Sequence, residues 1–153
     1  MIKVNVLSEE NSWAKKITKS EELFNKVCKN FPKKFKFINK KVYLTLLLSN
    51  NQKIKILNKK FRKKNKHTDI LSFPSGQKIK NLKKIYLGDI IISYNYMNKP
   101  KDLTNFEFKK KTIKIFIHGY LHLLGYDHIT LKDYQIMCRE EKKVFKSIEK
   151  LLN

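Results

Sequence analysis

Val42-Tyr43-Leu44-Thr45-Leu46-Leu47-Leu48 is an almost continuous apolar run, followed at once by Ser49-Asn50-Asn51. Strict alternation would leave one face of a strand in water, whereas a near-continuous run points to a central strand covered on both faces. The three polar residues after it offer capping side chains. They predict a helix to about Arg62, with Ile54, Leu57 and Phe61 on its inner face.

Working outward, Ile2 to Leu7 alternates as a strand, and residues 12–31 carry a helical stripe of Trp13, Ile17, Phe24, Val27, Cys28 and Phe31. Beyond the central helix, Asp69 to Phe73 reads as a short strand ended by Pro74, residues 75–84 as a basic turn, and Tyr86 to Ile92 as an isoleucine-rich strand. Residues 93–103 fit no single element and read as a frayed helix broken at Pro100. Asn105 to Leu124 is a long helix with Ile113, Phe116, Ile117, Tyr120, Leu121 and Leu124 in register, ended by Gly125. A last helix starts after Thr130, with Asp133 three residues on as in a capping box. The expected fold is α+β: a single domain over residues 1–153, with a mixed four-stranded sheet packed by helices.

The chain has 153 residues and 41% hydrophobic content, enough for one core and too much for disorder. Cys28 and Cys138 are far apart and outside any CxxC pair, which excludes a cysteine zinc site and a disulfide framework. Both read as buried thiols of a reducing compartment. No apolar stretch approaches the roughly 20 residues of a membrane span, and no signal peptide precedes the first strand. A cytoplasmic protein without a membrane partner is expected.

The net charge is +22. Such an excess favours a polyanionic partner, nucleic acid first. Arginine occurs only at Arg62 and Arg139, and the other basic residues are lysine, as an AT-biased genome also produces. Charge alone therefore raises RNA binding only modestly.

The chemistry concentrates in His118-Gly119-Tyr120-Leu121-His122-Leu123-Leu124-Gly125-Tyr126-Asp127-His128. His118 and His122, four apart on a helix, project from one face one turn apart. Gly125 permits the reversal that returns His128 to them. Three histidines leave a fourth tetrahedral position open, the arrangement of a catalytic zinc. One zinc ion per chain is expected, held by His118, His122 and His128 on a helix and the loop after it. Asp127 has two readings, orienting a ligand imidazole or capping the turn. Gly119 stands where metalloproteases of the HExxH type carry a glutamate base, which counts against a peptidase and leaves no obvious local base.

That stretch matches the HGxLHLxGYDH signature of the YbeY family of rRNA maturation factors at every fixed position. Leu57-Asn58-Lys59-Lys60-Phe61-Arg62 with Thr68 to Pro74 resembles the family's LNxxxR…TDVLSFP segment, and Leu87 to Ser93 its LGDIVIS strand. Met137 with Glu140-Glu141 resembles the last helix. Asn65 and His67 depart from the family, which usually carries proline and aspartate in this loop, so a less rigid loop is expected. His67 reads as a solvent-exposed loop histidine rather than a further ligand.

The resemblance implies a zinc-dependent, single-strand-specific endoribonuclease. It also implies work on ribosomal RNA and the small ribosomal subunit, in 3′-end maturation and the removal of defective ribosomes. Arg62 and His118 are the expected catalytic residues. A phosphodiester under attack gains charge on its non-bridging oxygens, which a guanidinium grips in a fork that lysine cannot make. Two other readings remain at this point: a ribosome-associated RNA-binding module with a structural zinc, and a zinc hydrolase of another substrate. The sequence leaves the cleavage site, the general base, the nucleophile, the protein partners and the oligomeric state open.

Overall fold

The computed structural model describes residues 1–77 and 82–153. The sheet is built from β1 (Ile2–Ser8), β2 (Lys41–Ser49), β3 (Ile70–Pro74) and β4 (Lys84–Ser93), in the order β1-β2-β4-β3. β1 and β4 run parallel to β2, and β3 is an antiparallel edge beside β4. The helices are α1 (Ser12–Lys16), α2 (Ser20–Lys29), α3 (Asn51–Arg62), α4 (Tyr94–Met97), α5 (Asn105–Leu123) and α6 (Leu131–Ile148). This is the α+β class and mixed four-stranded sheet that the sequence predicts. The part of the basic turn at residues 78–81 lies outside the described residues.

One sheet face carries the main core. Val42, Leu44, Leu46 and Leu48 of β2 are fully buried there against aromatic residues that include Phe24, Phe108, Phe116 and Tyr120. Apolar area buried on this scale, at about 25 cal/mol per Å², is the dominant favourable contribution to folding. The opposite face is covered less completely. Ile54 of α3 packs there on Leu71 and Ile91, while Tyr43, Thr45 and Leu47 stay half-buried. The apolar run of β2 thus overstates its cover: one face lies in the core and the other under the edge of α3. Phe61, expected on the inner face of α3, is 59% exposed; Asn58, one turn after Ile54, is buried instead.

A second difference lies near the N-terminus. Residues 12–31 form two helices and not one, because Ile17 is extended and Lys19 takes a left-handed conformation at φ 51°. The stripe survives the break, with Trp13, Ile17, Phe24, Val27, Cys28 and Phe31 all buried. Periodicity reports the buried face, and a bend that keeps that face inward leaves it unchanged. Cys28 is in the core, where burial pushes its thiol pKa upward and makes it inert. Cys138, also expected to be buried, is half-buried on α6.

β4 contains a bulge that aims its side chains. Tyr43 pairs with Tyr86 and Thr45 with Asp89, so β4 holds one extra residue. Core residues accordingly shift from Ile85 and Leu87 before it to Ile90 and Ile92 after it. Gly88, at φ +138°, lies so close to β3 that a Cβ would sit 2.1 Å from the Phe73 carbonyl oxygen. Only glycine fits there.

Candidate active site

α5 begins with a complete capping box: the Thr104 side chain accepts from the Glu107 N–H, and the Glu107 carboxylate accepts from the Thr104 N–H. Its buried face, through Ile113, Phe116, Ile117 and Tyr120, holds it against the sheet. Gly119 lets it come close to β3. A Cβ at that position would lie 2.7 Å from Ile70 Cδ1 and 3.0 Å from Ser72 Oγ, and the Ser72 hydroxyl donates to the Gly119 carbonyl at 3.3 Å. Position 119 therefore faces the sheet at contact distance, and a glutamate there has no room.

The end of α5 is a Schellman turn. Tyr126 N–H donates to the Leu121 carbonyl at 3.1 Å, and Gly125 N–H to the His122 carbonyl at 3.0 Å. Gly125 itself has φ +98°. The reversal carries His128 back over the helix, and its ring lies 5.5 Å from that of His118 and 5.0 Å from that of His122. Asp127 accepts from the His128 N–H at 2.8 Å, which supports the turn-capping reading of that residue.

Nε2 of His118 and Nε2 of His122 are 3.1 Å apart. One ligand atom from each of the three histidines falls within 4.8 Å of the other two. A tetrahedral ion bound at about 2.0–2.1 Å sets its nitrogen ligands roughly 3.3 Å apart, so the closest pair already stands near ligand spacing. The three imidazoles could hold a metal ion, and a borderline-soft transition metal suits such donors. Burial, then the neighbouring His118 and His128, hold the pKa of His122 below the usual histidine range. Its neutral, coordinating form is therefore favoured.

Glu141, on α6, completes the centre. Its Oε1 lies 2.5 Å from Nδ1 of His118. That leaves Nε2 of His118 free to face His122, the arrangement in which a carboxylate fixes ring orientation and raises ligand basicity. The adjacent Glu140 faces the other way, buried and paired with Lys34 at 3.4 Å and Lys143 at 3.7 Å. The sequence matched Glu141 to a motif without giving it a role. The pair is 23 residues apart, and no local pattern marks it.

A cleft of about 700 Å³ is lined by the three histidines together with Arg62, Thr68, Asp69 and Ser72. Arg62 is the last residue of α3, donates from a guanidinium nitrogen to the Ser72 carbonyl at 3.2 Å, and lies over the Phe73 ring at 5.8 Å. The buried Asn58 amide donates to the Lys66 carbonyl at 2.9 Å and ties down the loop after Arg62. His67, in that loop, is exposed and bonded to the Tyr96 hydroxyl, outside the histidine group. Lys63 and Lys64 are exposed beside Arg62 without lining the cleft.

An α+β domain that gathers imidazoles at the end of one helix, in a cleft that also holds a guanidinium, has the layout of a hydrolase for an anionic substrate. Comparison with known proteins makes this specific. The family model described as endoribonuclease YbeY matches residues 6–149. The chain is 58% identical over 149 residues to the endoribonuclease YbeY of Pelagibacter ubique, covering 97% of each chain. It is 36% identical over 108 residues to that of Persephonella marina, covering 70% of this chain and 71% of the relative. The solution structure of TM1509 from Thermotoga maritima shares the fold at TM-score 0.51 and 23% identity, covering 98% of this chain and 93% of that one. The chain belongs to the endoribonuclease YbeY family, and it is an enzyme of the hydrolase class.

Proposed function

We propose that this endoribonuclease depends on one zinc ion held by His118, His122 and His128, and that it cuts single-stranded RNA. The observation that carries this reading is the convergence of the three imidazoles in a cleft that Arg62 also lines. Among the described residues the histidine group has three members, and Glu141 engages the far nitrogen of His118. Both features favour a centre with a free position over a closed structural one.

Bound zinc supplies Lewis-acid charge at the scissile phosphate and acidifies water near neutral pH. Arg62 grips the non-bridging phosphate oxygens and stabilises the charge that grows there. Its bond to the Ser72 carbonyl and the Phe73 ring hold the guanidinium toward the cleft. Glu141 keeps the proton on Nδ1 of His118, so Nε2 carries the lone pair.

The substrate in this proposal is ribosomal RNA, at the 3′ end of the small-subunit RNA and on defective ribosomes in the cytoplasm. The motif resemblance and the +22 charge support it. The test is incubation of zinc-loaded protein with single-stranded and duplex RNA, followed by analysis of the ends. Cleavage confined to single strands supports the reading, and intact RNA in both tubes overturns it. For the ribosomal substrate, cells lacking the protein are expected to accumulate small-subunit RNA with unprocessed 3′ ends.

A further inference from the structure

The side of α5 that carries His118 continues toward its N-terminus to Lys111, seven residues earlier and about 10 Å along the helix. The Lys111 ammonium donates to the Tyr96 carbonyl at 2.8 Å and to the Lys99 carbonyl at 2.7 Å, fixing the end of α4 to α5. Tyr96 in turn holds His67. The two rings meet edge-on at 5.5 Å and 67°, and the Tyr96 hydroxyl is 3.0 Å from Nδ1 of His67. The Lys99 ammonium stands 5.0 Å from the centre of the Tyr96 ring. His67 directly precedes Thr68 and Asp69, which line the cleft. An exposed aromatic ring, held by a tyrosine that itself carries a cation over its face, thus stands one residue from the lining of the cleft.

This is the chemistry by which proteins hold single-stranded nucleic acid: a π-face for a base, with positive charge beside it for the phosphate. We propose that His67, buttressed by Tyr96, is a stacking platform for a nucleobase close to the scissile phosphate. The inference rests on the reading that single-stranded RNA enters this cleft. His67 is a positioning residue in this scheme. It makes no contact with the histidine centre and acts by fixing the strand that crosses it.

The Tyr96 hydroxyl bond distinguishes a platform from a loose loop residue. A ring free to rotate loses entropy when a base stacks on it, whereas a clamped ring has lost it already. A histidine here, in place of the usual family residue, then acts on binding and not on folding. Its ring is exposed, so its removal opens no cavity.

The test uses full-length protein and two short single-stranded oligonucleotides of equal length and charge, one carrying bases and one made of abasic units. Affinities are measured for wild type, His67→Ala, His67→Phe and Tyr96→Phe, with zinc content and thermal midpoint recorded for each. Wild type is expected to prefer the base-bearing strand. His67→Ala is expected to reduce that preference about tenfold with folding and zinc unchanged, within the range for loss of one stacked base. His67→Phe is expected to restore most of the preference, and Tyr96→Phe to lose part of it. An unchanged preference in His67→Ala overturns the platform while leaving the nuclease reading intact. Failure of wild type to bind either strand overturns the RNA reading, and the platform with it.

Discussion

The carboxylate of Glu141 sits 2.5 Å from Nδ1 of His118, and this contact joins α6 to the histidine centre on α5. It decides which nitrogen of His118 is available. Glu141→Gln keeps the size and removes the charge, so the imidazole loses basicity and its fixed orientation. Zinc affinity is expected to fall by about 10- to 100-fold. The pair is only partly buried, so the thermal midpoint of the metal-free protein should hardly move. Competition with a chromophoric chelator reads the affinity, and an unchanged value refutes the role assigned to Glu141.

Arg62 lines the same cleft as the histidines and is expected to act on the charge that develops as the phosphodiester breaks. An interaction made only in the transition state lowers the rate with little change in binding. Arg62→Ala is expected to lose about 10²–10³ in single-turnover rate. Arg62→Lys keeps the charge without the fork and should remain badly impaired. Zinc content should be normal in both. Near-wild-type cleavage by the lysine variant would reduce Arg62 to a generic positive charge.

Gly119 brings α5 into contact with β3. In Gly119→Glu a long side chain meets Ile70, Ser72 and Ile90 with no room. A carboxylate forced into a packed helix–sheet contact and a displaced helix together place this variant among severely destabilising substitutions, above about 4 kcal/mol. Chemical denaturation measures it. A stable Gly119→Glu protein would mean that the helix tolerates displacement from β3.

Affinity for single-stranded RNA is expected to fall steeply with salt, by a slope of about −0.7 in log K against log salt for each phosphate neutralised. A flat response would assign the lysine excess to composition and not to substrate binding.

Most of the fold was legible because it is written in local patterns. The apolar run of β2, the Asn50 cap that accepts from the Lys53 N–H, and the stripe of α5 are each set by neighbours in the chain. The three histidines were legible for the same reason, since helix spacing and one glycine bring them together. What sequence reasoning missed depends on distant surfaces. The break at Ile17–Lys19 preserves the buried face and leaves no mark on the periodicity. Gly119 is explained by Ile70 and Ser72, and Glu141 by His118, contacts that exist only after folding. The Thr104–Glu107 capping box is, by contrast, a local signal, and it starts α5 at Asn105, where the sequence predicts it.

Cleavage of a single-stranded RNA as a function of zinc occupancy tests the central claim most directly. Wild type and His122→Ala are purified identically, zinc is quantified in each, and the rate is followed as wild type is stripped with chelator and reloaded. The account expects one zinc per chain in wild type, loss of cleavage on stripping, its return on reloading, and neither zinc nor cleavage in His122→Ala. Full-rate cleavage by stripped protein, or by a His122→Ala variant without zinc, would contradict it.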